Sequence, residues 1–234
     1  MIKKQKLVVF SGAGMSAESG INTFRDTGGL WEKYRIEDVA APQAWSADPE
    51  KVQHFYNQRR KQILEASPNS AHIQTAEFEK FYETTVITQN IDDLHERAGS
   101  SRVLHLHGNI RQAKSSGPNQ ERKLYPIEGW ELSLTDTCDE GFPLRPHVVW
   151  FGEEVPMLDT AAEIISKTDI LIVIGTSMNV YPAAGLVHAA PSQSAKIIID
   201  PHADELNVPS EFQVLKMGAG DGLKYWCKQM GNLL

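Results

Sequence analysis

A chain of 234 residues with 41% hydrophobic and 23% charged positions has the make-up of a globular protein able to bury one large core or two unequal ones, which sets disorder aside. A formal net charge of −7 and a pI near 5.6 argue against an electrostatic nucleic-acid surface, which needs clustered Lys and Arg, so a polymer partner is expected to be protein. The two cysteines, Cys138 and Cys227, stand too far apart in sequence for a disulfide framework, and no apolar run approaches the ~20 residues that span a bilayer.

The chain opens on Lys-rich residues and then Leu7-Val8-Val9-Phe10, an apolar run that Ser11-Gly12 cut below the length of a signal peptide's hydrophobic region. It is read as a strand, and the protein as cytoplasmic. The strand leads into Gly12-Ala13-Gly14-Met15-Ser16-Ala17, a G-x-G-x-x-A pattern at a strand-to-helix junction. Such glycines let the backbone approach a pyrophosphate at a helix N-terminus, but they also serve a plain tight turn. The dehydrogenase form of this pattern wants a second strand ending in an acidic residue ~20 positions on. Gly28-Gly29-Leu30-Trp31-Glu32-Lys33-Tyr34 is no strand, so hydride transfer is disfavoured. Ser19-Gly20-Ile21-Asn22-Thr23-Phe24-Arg25-Asp26 reads as a loop, with an aromatic ring and a guanidinium beside the turn.

Residues from Trp31 to about Ala71 are expected to be mainly helical, most clearly Pro49 to Ala66. At about 100° per residue Val52, Phe55, Tyr56, Arg59 and Ile63 form one stripe on this helix, from which Arg60 and Lys61 rotate away. A guanidinium on an apolar face is costly to desolvate, so either a structural carboxylate or a ligand anion should meet Arg59. Tyr56, one turn earlier, can converge on the same point.

Thr84 to Thr88 is the next strand, and Gln89-Asn90-Ile91-Asp92-Asp93-Leu94-His95 presents amides and carboxylates at its end. In Leu104-His105-Leu106-His107-Gly108, histidines at i and i+2 of a strand point the same way. Such a pair is more often a packed histidine with its partner than two metal ligands, and a histidine is also the natural proton acceptor near neutral pH. Asn109 to Pro146 is rich in Gly, Pro, Ser and charge. A helix is expected over Asp159 to Lys167, and strands over Ile170–Ile174 and Lys196–Ile199. The alternation predicts an α/β fold whose parallel sheet is built from 1–31, 72–108 and 147–234, with a smaller inserted domain from 32–71 and 109–146.

These blocks together resemble the sirtuins: Gly12-Ala13-Gly14-Met15-Ser16, Ser19-Gly20-Ile21, Phe24-Arg25, Gln89-Asn90-Ile91-Asp92, His107-Gly108, Phe151-Gly152-Glu153 and Gly175-Thr176-Ser177 occur in that family's order over nearly the whole chain. The resemblance implies a Rossmann-like domain for NAD and a smaller domain across a cleft. It implies removal of acyl groups from protein lysines, giving nicotinamide and O-acyl-ADP-ribose, with His107 as general base on a ribose hydroxyl. Gly12, Ala13, Gly14, Ser16, Ser19, Gly20, Ile21, Phe24, Arg25 and Trp31 would wrap pyrophosphate and ribose. Gln89, Asn90, Ile91 and Asp92 would frame the nicotinamide. Gly175, Thr176, Ser177, Asp200 and Ala219 would meet the adenosine side, although Asp200 stands where close relatives carry Asn. Phe151 and Gly152 would bind the substrate. Sirtuins that remove succinyl groups carry the Tyr-x-x-Arg pair matched by Tyr56 and Arg59, and Ala40 matches their small residue that makes room for the longer acyl chain.

One departure from the family is large. Sirtuins usually hold a structural zinc on four cysteines in the small domain, whereas 109–146 contains Cys138 alone and Ser115-Ser116 stands near the first expected pair. No zinc is therefore expected, and packing by Leu124, Tyr125, Ile127, Trp130, Leu132, Leu134 and Phe142 should hold this lobe instead. Protein ADP-ribosyl transfer, or a non-catalytic NAD or ADP-ribose binding module, are the competing readings. The intact His107 and Gln89 to Asp92 speak against the latter.

Overall fold

The computed structural model describes residues 4–21, 34–120, 122–177 and 180–230. In chain order its elements are β1 (Lys6–Ser11), α1 (Gly14–Ala17), α2 (Ile36–Val39), α3 (Pro42–Ala47), α4 (Pro49–Glu65), α5 (Ser70–Glu77), β2 (Glu83–Thr88), α6 (Leu94–Arg97), β3 (Val103–His105), β4 (Gly108–Ser115), β5 (Leu124–Pro126), β6 (Leu144–Val148), α7 (Leu158–Ile165), β7 (Ile170–Ile174), β8 (Ala195–Ile199), β9 (Gln213–Leu215) and α8 (Ala219–Gln229). Short 3₁₀ turns lie between several of them.

Among the described residues β1, β2, β3, β7, β8 and β9 form a parallel sheet in the order β3-β2-β1-β7-β8-β9. Its strands are apolar on both faces, as parallel strands covered by helices on each side must be. Leu7, Val9, Val86 and Ile172 pack with Phe78, Leu223 and Trp226 on one side. Val8, Phe10, Leu171 and Val173 pack with Ala161, Ile165 and Leu186 on the other. This is the Rossmann-like α/β core expected from the four β-branched runs.

The smaller part joins α2–α4 to an antiparallel sheet ordered β5-β4-β6. Helix α4 starts where Asp48 accepts a hydrogen bond from the Lys51 amide and Pro49 supplies a preset φ. Val52, Phe55, Tyr56 and Ile63 face a core shared with Ile21, Val39, Ala40, Ile110, Val148 and Trp150, as the stripe predicts. The opposite face differs from expectation, because Arg60 does not turn to solvent but is fully buried. The helix is covered on two sides, and Gln53, Asn57 and Arg60 form a second, polar stripe against the β lobe.

Arg60 donates from Nε to the Ile110 carbonyl at 2.7 Å and from Nη1 to the Trp130 carbonyl at 2.8 Å and to Asn57 Oδ1 at 2.7 Å. Asn57 exchanges bonds with the backbone of Leu132 at 3.0 Å each, and Gln53 Nε2 reaches the Leu144 carbonyl at 3.3 Å.

Inside the β lobe the core is Ala113, Ile127, Leu132, Cys138 and Leu144, with Tyr125 against it. Leu124, Trp130 and Phe142 are exposed, and Leu134 is half-buried, so four of the expected packing residues do not fill this core. The polar side chains of α4, which hydrophobic patterning cannot register, take over part of the task. The lobe's residues do not fit a four-thiolate zinc. Cys138 is its one thiol, Ser115 Oγ donates to Cys138 Sγ at 3.3 Å, and among the described residues no three His, Cys, Asp or Glu cluster as a metal requires.

Candidate active site

Strand register sets the floor of the site. Ser11 pairs with both Thr88 and Ile174, Thr88 with His105, Ile174 with Ile199, and Ile199 with Leu215, so all six parallel strands end on one level. From β1 the chain moves outward through β2 and β3 on one side, then crosses to β7, β8 and β9 on the other. The switch point therefore lies between β1 and β7, where such sheets bind ligands beyond their carboxyl ends.

Gly12 and Gly175 meet at that point. The Gly12 amide donates to the Ile174 carbonyl at 2.9 Å and the Gly14 amide to the Gly175 carbonyl at 2.8 Å. A Cβ on Gly12 would stand 2.7 Å from the Gly175 oxygen and one on Gly14 2.6 Å from the Gly175 Cα, both backbone atoms that cannot swing aside. The glycines thus seat one loop against the other. Helix α1 has a single turn, so its dipole is small, and the amides of Gly12, Gly14, Met15 and Ser16 are already bonded to backbone carbonyls, so what the turn offers a ligand is close approach of its backbone.

The cradle fits a dinucleotide in two further respects. Ala13 and Gly14 stay partly accessible on its surface, and Ser19 Oγ is buried with no partner among the described residues, an orphan that a bound cofactor's hydroxyl or phosphate would satisfy. Gly20 is exposed at φ 80°, and Ile21 turns into the core below. Phe24, Arg25 and Trp31 lie outside the described residues.

The loop after β2 locks onto the same cradle. Asn90 Nδ2 donates to Ser16 Oγ at 3.1 Å, Ser16 Oγ donates to Asp92 Oδ2 at 2.9 Å, and Gln89 Nε2 donates to Thr176 Oγ1 at 3.2 Å. Burial pushes the Asp92 carboxyl up, against the bonds it accepts from the Leu94 amide and Ser16. Behind the loop, Ser11 Oγ donates to Thr88 Oγ1 at 2.9 Å and lies 3.0 Å from His95 Nε2, while Thr88 Oγ1 receives the Asn90 amide at 3.0 Å. His95 packs edge-on against His72, and both are held well below the usual histidine range by burial.

His105 and His107 sit in different surroundings. Only His105 is in a strand; β3 ends there, and His107 lies in the bend before β4, a difference from the strand expected over both. They nonetheless reach the same loop, His105 Nδ1 to the Asn90 carbonyl and His107 Nδ1 to the Gln89 carbonyl, each at 3.0 Å.

His105 is the packed histidine with a partner. Burial opposes its charge, but the Glu96 carboxylate 2.7 Å from Nε2 and the Asn90 carbonyl outweigh it and raise its pKa. His107 is shifted the other way, lowered by burial with only the Gln89 carbonyl to compensate. Because a carbonyl can only accept, Nδ1 of His107 must carry the hydrogen, leaving the Nε2 lone pair, which has no partner among the described residues, to take a proton.

The predicted acyl residues gather on the other side of His107. The Val149 amide donates to the His107 carbonyl and the Phe151 amide to the Ala40 carbonyl, each at 2.9 Å, so one stretch after β6 joins the histidine to the buried Ala40. Tyr56 and Arg59 are both buried. Burial pushes the Tyr56 phenol up to about 12 against the Trp150 hydrogen bond and the positive charges of Arg59 and Arg145. Burial lowers Arg59, and Tyr56 and the negative charge of Asp92 counter it in part. Phe151, half exposed, and Gly152, at φ 92° with open space around it, sit at the rim.

On the far side of the switch point Thr176 is buried and Ser177 partly so. Asp200 is buried at the end of β8 with Oδ1 accepting the His202 amide at 2.8 Å, and Ala219 is the first residue of α8. The sequence reading passed over Ser11, Thr88, Arg145 and Trp150 as site residues. Of these, Trp150 left a signal, an aromatic directly before Phe151-Gly152-Glu153 with Arg145 five positions earlier.

Comparison with known proteins agrees with this arrangement. The Sir2 family profile matches residues 12–182. A Bacteroides thetaiotaomicron protein named NAD-dependent protein deacylase is 50% identical over 224 residues, covering 94% of this chain and 95% of its own. A Helicobacter pylori protein of the same name is 49% identical over 217 residues, covering 92% and 91%. Among solved structures, a Sir2 homologue in complex with NAD superposes with a TM-score of 0.85 at 40% identity, covering 99% of this chain and 91% of that one. A Sir2 protein with a deacetylated p53 peptide and 3'-O-acetyl ADP-ribose gives 0.78 at 30% identity, covering 98% and 94%. With its motifs on one edge of the sheet and its profile matched over most of its length, the chain belongs to the Sir2 family.

Proposed function

We propose that this chain is an NAD-dependent protein-lysine deacylase whose pocket accepts acidic acyl groups such as succinyl and malonyl as well as acetyl. The observation that carries the acidic preference is the burial of Tyr56 and Arg59 one helical turn apart, close enough for the Arg59 charge to bear on the phenol, beside the core that holds Tyr56 and Ala40. A guanidinium and a phenol together offer a carboxylate charge-assisted bonds in a dry site.

Gly12, Ala13, Gly14, Ser16, Ser19, Gly20, Ile21, Phe24, Arg25 and Trp31 would hold the pyrophosphate and ribose, Gln89 to Asp92 the nicotinamide, and Gly175 to Ser177, Asp200 and Ala219 the adenosine. NAD, when bound, supplies the ribose carbon that takes the acyl oxygen as nicotinamide leaves. His107 Nε2 accepts the proton of a ribose hydroxyl, and the Gln89 carbonyl keeps the tautomer that leaves this nitrogen free. The hydrogen bonds among Asn90, Ser16 and Asp92 hold the pocket loop in place before substrate arrives. Ala40 leaves room for the longer acyl chain, while Phe151 and Gly152 contact the peptide.

The partner is an acylated-lysine protein rather than nucleic acid or a membrane, in keeping with the net negative charge. Among the described residues no helix is long and apolar enough to cross a membrane. We place the enzyme in the cytoplasm, divided into the large and small domains bounded above.

Acetyl-, succinyl- and malonyl-lysine peptides with NAD, products identified by mass, test the reading. Arg59→Met should cost succinyl-lysine about ten- to a hundredfold in kcat/KM, the worth of one charge-assisted interaction of roughly 1.5 to 3 kcal/mol, and acetyl-lysine far less. Equal loss on both peptides would make Arg59 a structural partner of Asp92 and the enzyme a general deacetylase.

A further inference from the structure

Tyr56 Oη accepts a hydrogen bond from Trp150 Nε1 at 3.1 Å and donates to no described group. A phenol has one hydrogen to give, and an indole N–H can only donate. The contact therefore occupies the acceptor side of the phenol and leaves its hydrogen for something else. That hydrogen belongs to a residue 2% exposed, a donor left idle in a site where idle donors are rare.

The indole is itself held on several sides. Arg145, 3% exposed, stacks over its ring at 3.6 Å, and a cation on an indole face makes the ring N–H a stronger donor. Glu153 fixes both partners at once, since Oε1 accepts from Arg145 Nη2 at 2.6 Å and Oε2 accepts the Trp150 amide at 2.8 Å. Trp45 packs against the indole at 6.0 Å. Arg145 and Glu153 hold the indole by direct contact, and they reach Tyr56 itself only through the fields of their opposite charges.

We infer that Trp150 is a specificity-determining positioning residue: by taking the acceptor side of Tyr56 Oη, with Arg145 and Glu153 locking the indole, it commits the phenol hydrogen to the carboxylate of an acidic acyl group. The inference rests on the acidic-acyl reading above and adds the residues that set its donor. A phenol free to rotate would offer a lone pair to the acyl carboxylate for part of the time, a repulsive arrangement, whereas the indole removes it. Burial keeps the phenol protonated, pushed up to about 12, so the donor persists at any working pH. Acetyl-lysine has no carboxylate and gains nothing from the device, so its effect appears in the ratio of the two activities.

The test uses the full chain with NAD and competing acetyl- and succinyl-lysine peptides, comparing Trp150→Phe, Tyr56→Phe, their double variant and Arg59→Met. Trp150→Phe keeps an aromatic ring for Arg145 and Trp45, deletes the N–H and makes the buried ring smaller, a packing loss that falls on both peptides alike. It should lower the succinyl-to-acetyl ratio of kcat/KM about three- to tenfold, the size of one neutral hydrogen bond. Tyr56→Phe should lower it by a similar factor, and the double variant should match Tyr56→Phe alone, because the indole acts only through that hydroxyl.

A merely structural role would reduce both activities together and leave the ratio unmoved, and that result overturns the inference, as would effects that multiply in the double variant. If Trp150→Phe fails to fold, Glu153→Gln, which loosens Arg145 and the Trp150 amide, is read by the same ratio: a fall supports the inference and no change overturns it. Arg59→Met separates the two levels. An unchanged ratio there removes the acidic-acyl reading itself, whereas a fall there with none in Trp150→Phe removes only the role of Trp150.

Discussion

Arg60→Met should destabilise the protein through the small domain without touching the site. The substitution keeps the length of the side chain and takes away the guanidinium that bonds the Ile110 carbonyl, the Trp130 carbonyl and Asn57 Oδ1. Asn57 Oδ1 keeps its bond from the Leu132 amide, so two backbone carbonyls are the groups left bare. At about 1 to 3 kcal/mol for each orphaned group the gross cost is roughly 2 to 6 kcal/mol.

Part of this is offset. Burial, with Arg111 nearby, has pushed the Arg60 guanidinium down to about 10, and its Nη2 has no partner among the described residues, so burying it is itself unfavourable. A net loss of about 1 to 4 kcal/mol remains, which for a chain of this size lowers Tm by about 2 to 16 °C. Thermal unfolding measures it, and limited proteolysis locates it, with faster cleavage expected between 116 and 140. A fall under ~2 °C with unchanged cleavage would refute the idea that the polar stripe of α4 holds the lobe.

His107→Ala should leave the fold intact and lower deacylation roughly 10²- to 10⁴-fold, as loss of a general base does; near-normal turnover would assign the proton transfer elsewhere. Since burial lowers the His107 pKa, the acid limb of the wild-type pH–rate profile should fall below the ordinary histidine value rather than at it. The purified protein should carry no stoichiometric zinc and keep its Tm in a strong chelator, checked by elemental analysis. Stability should also fall with acid: His72 titrates near 4 when folded and near 6.5 when unfolded, so between those values the unfolded chain binds the extra proton. From pH 6.5 to pH 5 this one residue should remove roughly 1.5 kcal/mol, visible in urea unfolding and reduced in His72→Gln.

The strands and the cradle were legible because their signals are local. β-branched runs at Leu7–Phe10, Thr84–Thr88, Ile170–Ile174 and Lys196–Ile199 each became a strand, and glycines at 12 and 14 marked the turn between strand and helix. What periodicity missed is what depends on a second neighbour. A single apolar stripe told which face of α4 meets the first core, but nothing in it could tell that Gln53, Asn57 and Arg60 meet another. Aromatic residues at 130 and 142 looked like core because hydrophobicity was the only evidence; in the fold Phe142 instead lies across Gly117 at the surface. The histidines at 105 and 107 do reach the same loop, as the i, i+2 spacing expects, but β3 ends at His105 and His107 stands in the bend that follows, which residue-type patterning did not mark.

The backbone-to-backbone contact of Gly12 and Gly14 with the loop after β7 bears on the kinetics of ligand capture. Most ligand loops are mobile and must be ordered when the ligand arrives, at a cost in entropy. Here the two amides are already spent on the carbonyls of Ile174 and Gly175, which continue a fully buried central strand. Their hydrogens should exchange with solvent as slowly as those of the strands beside them. The turn at Gly12 to Gly14 and the start of the turn at Gly175 can then open only together, as one edge of the sheet.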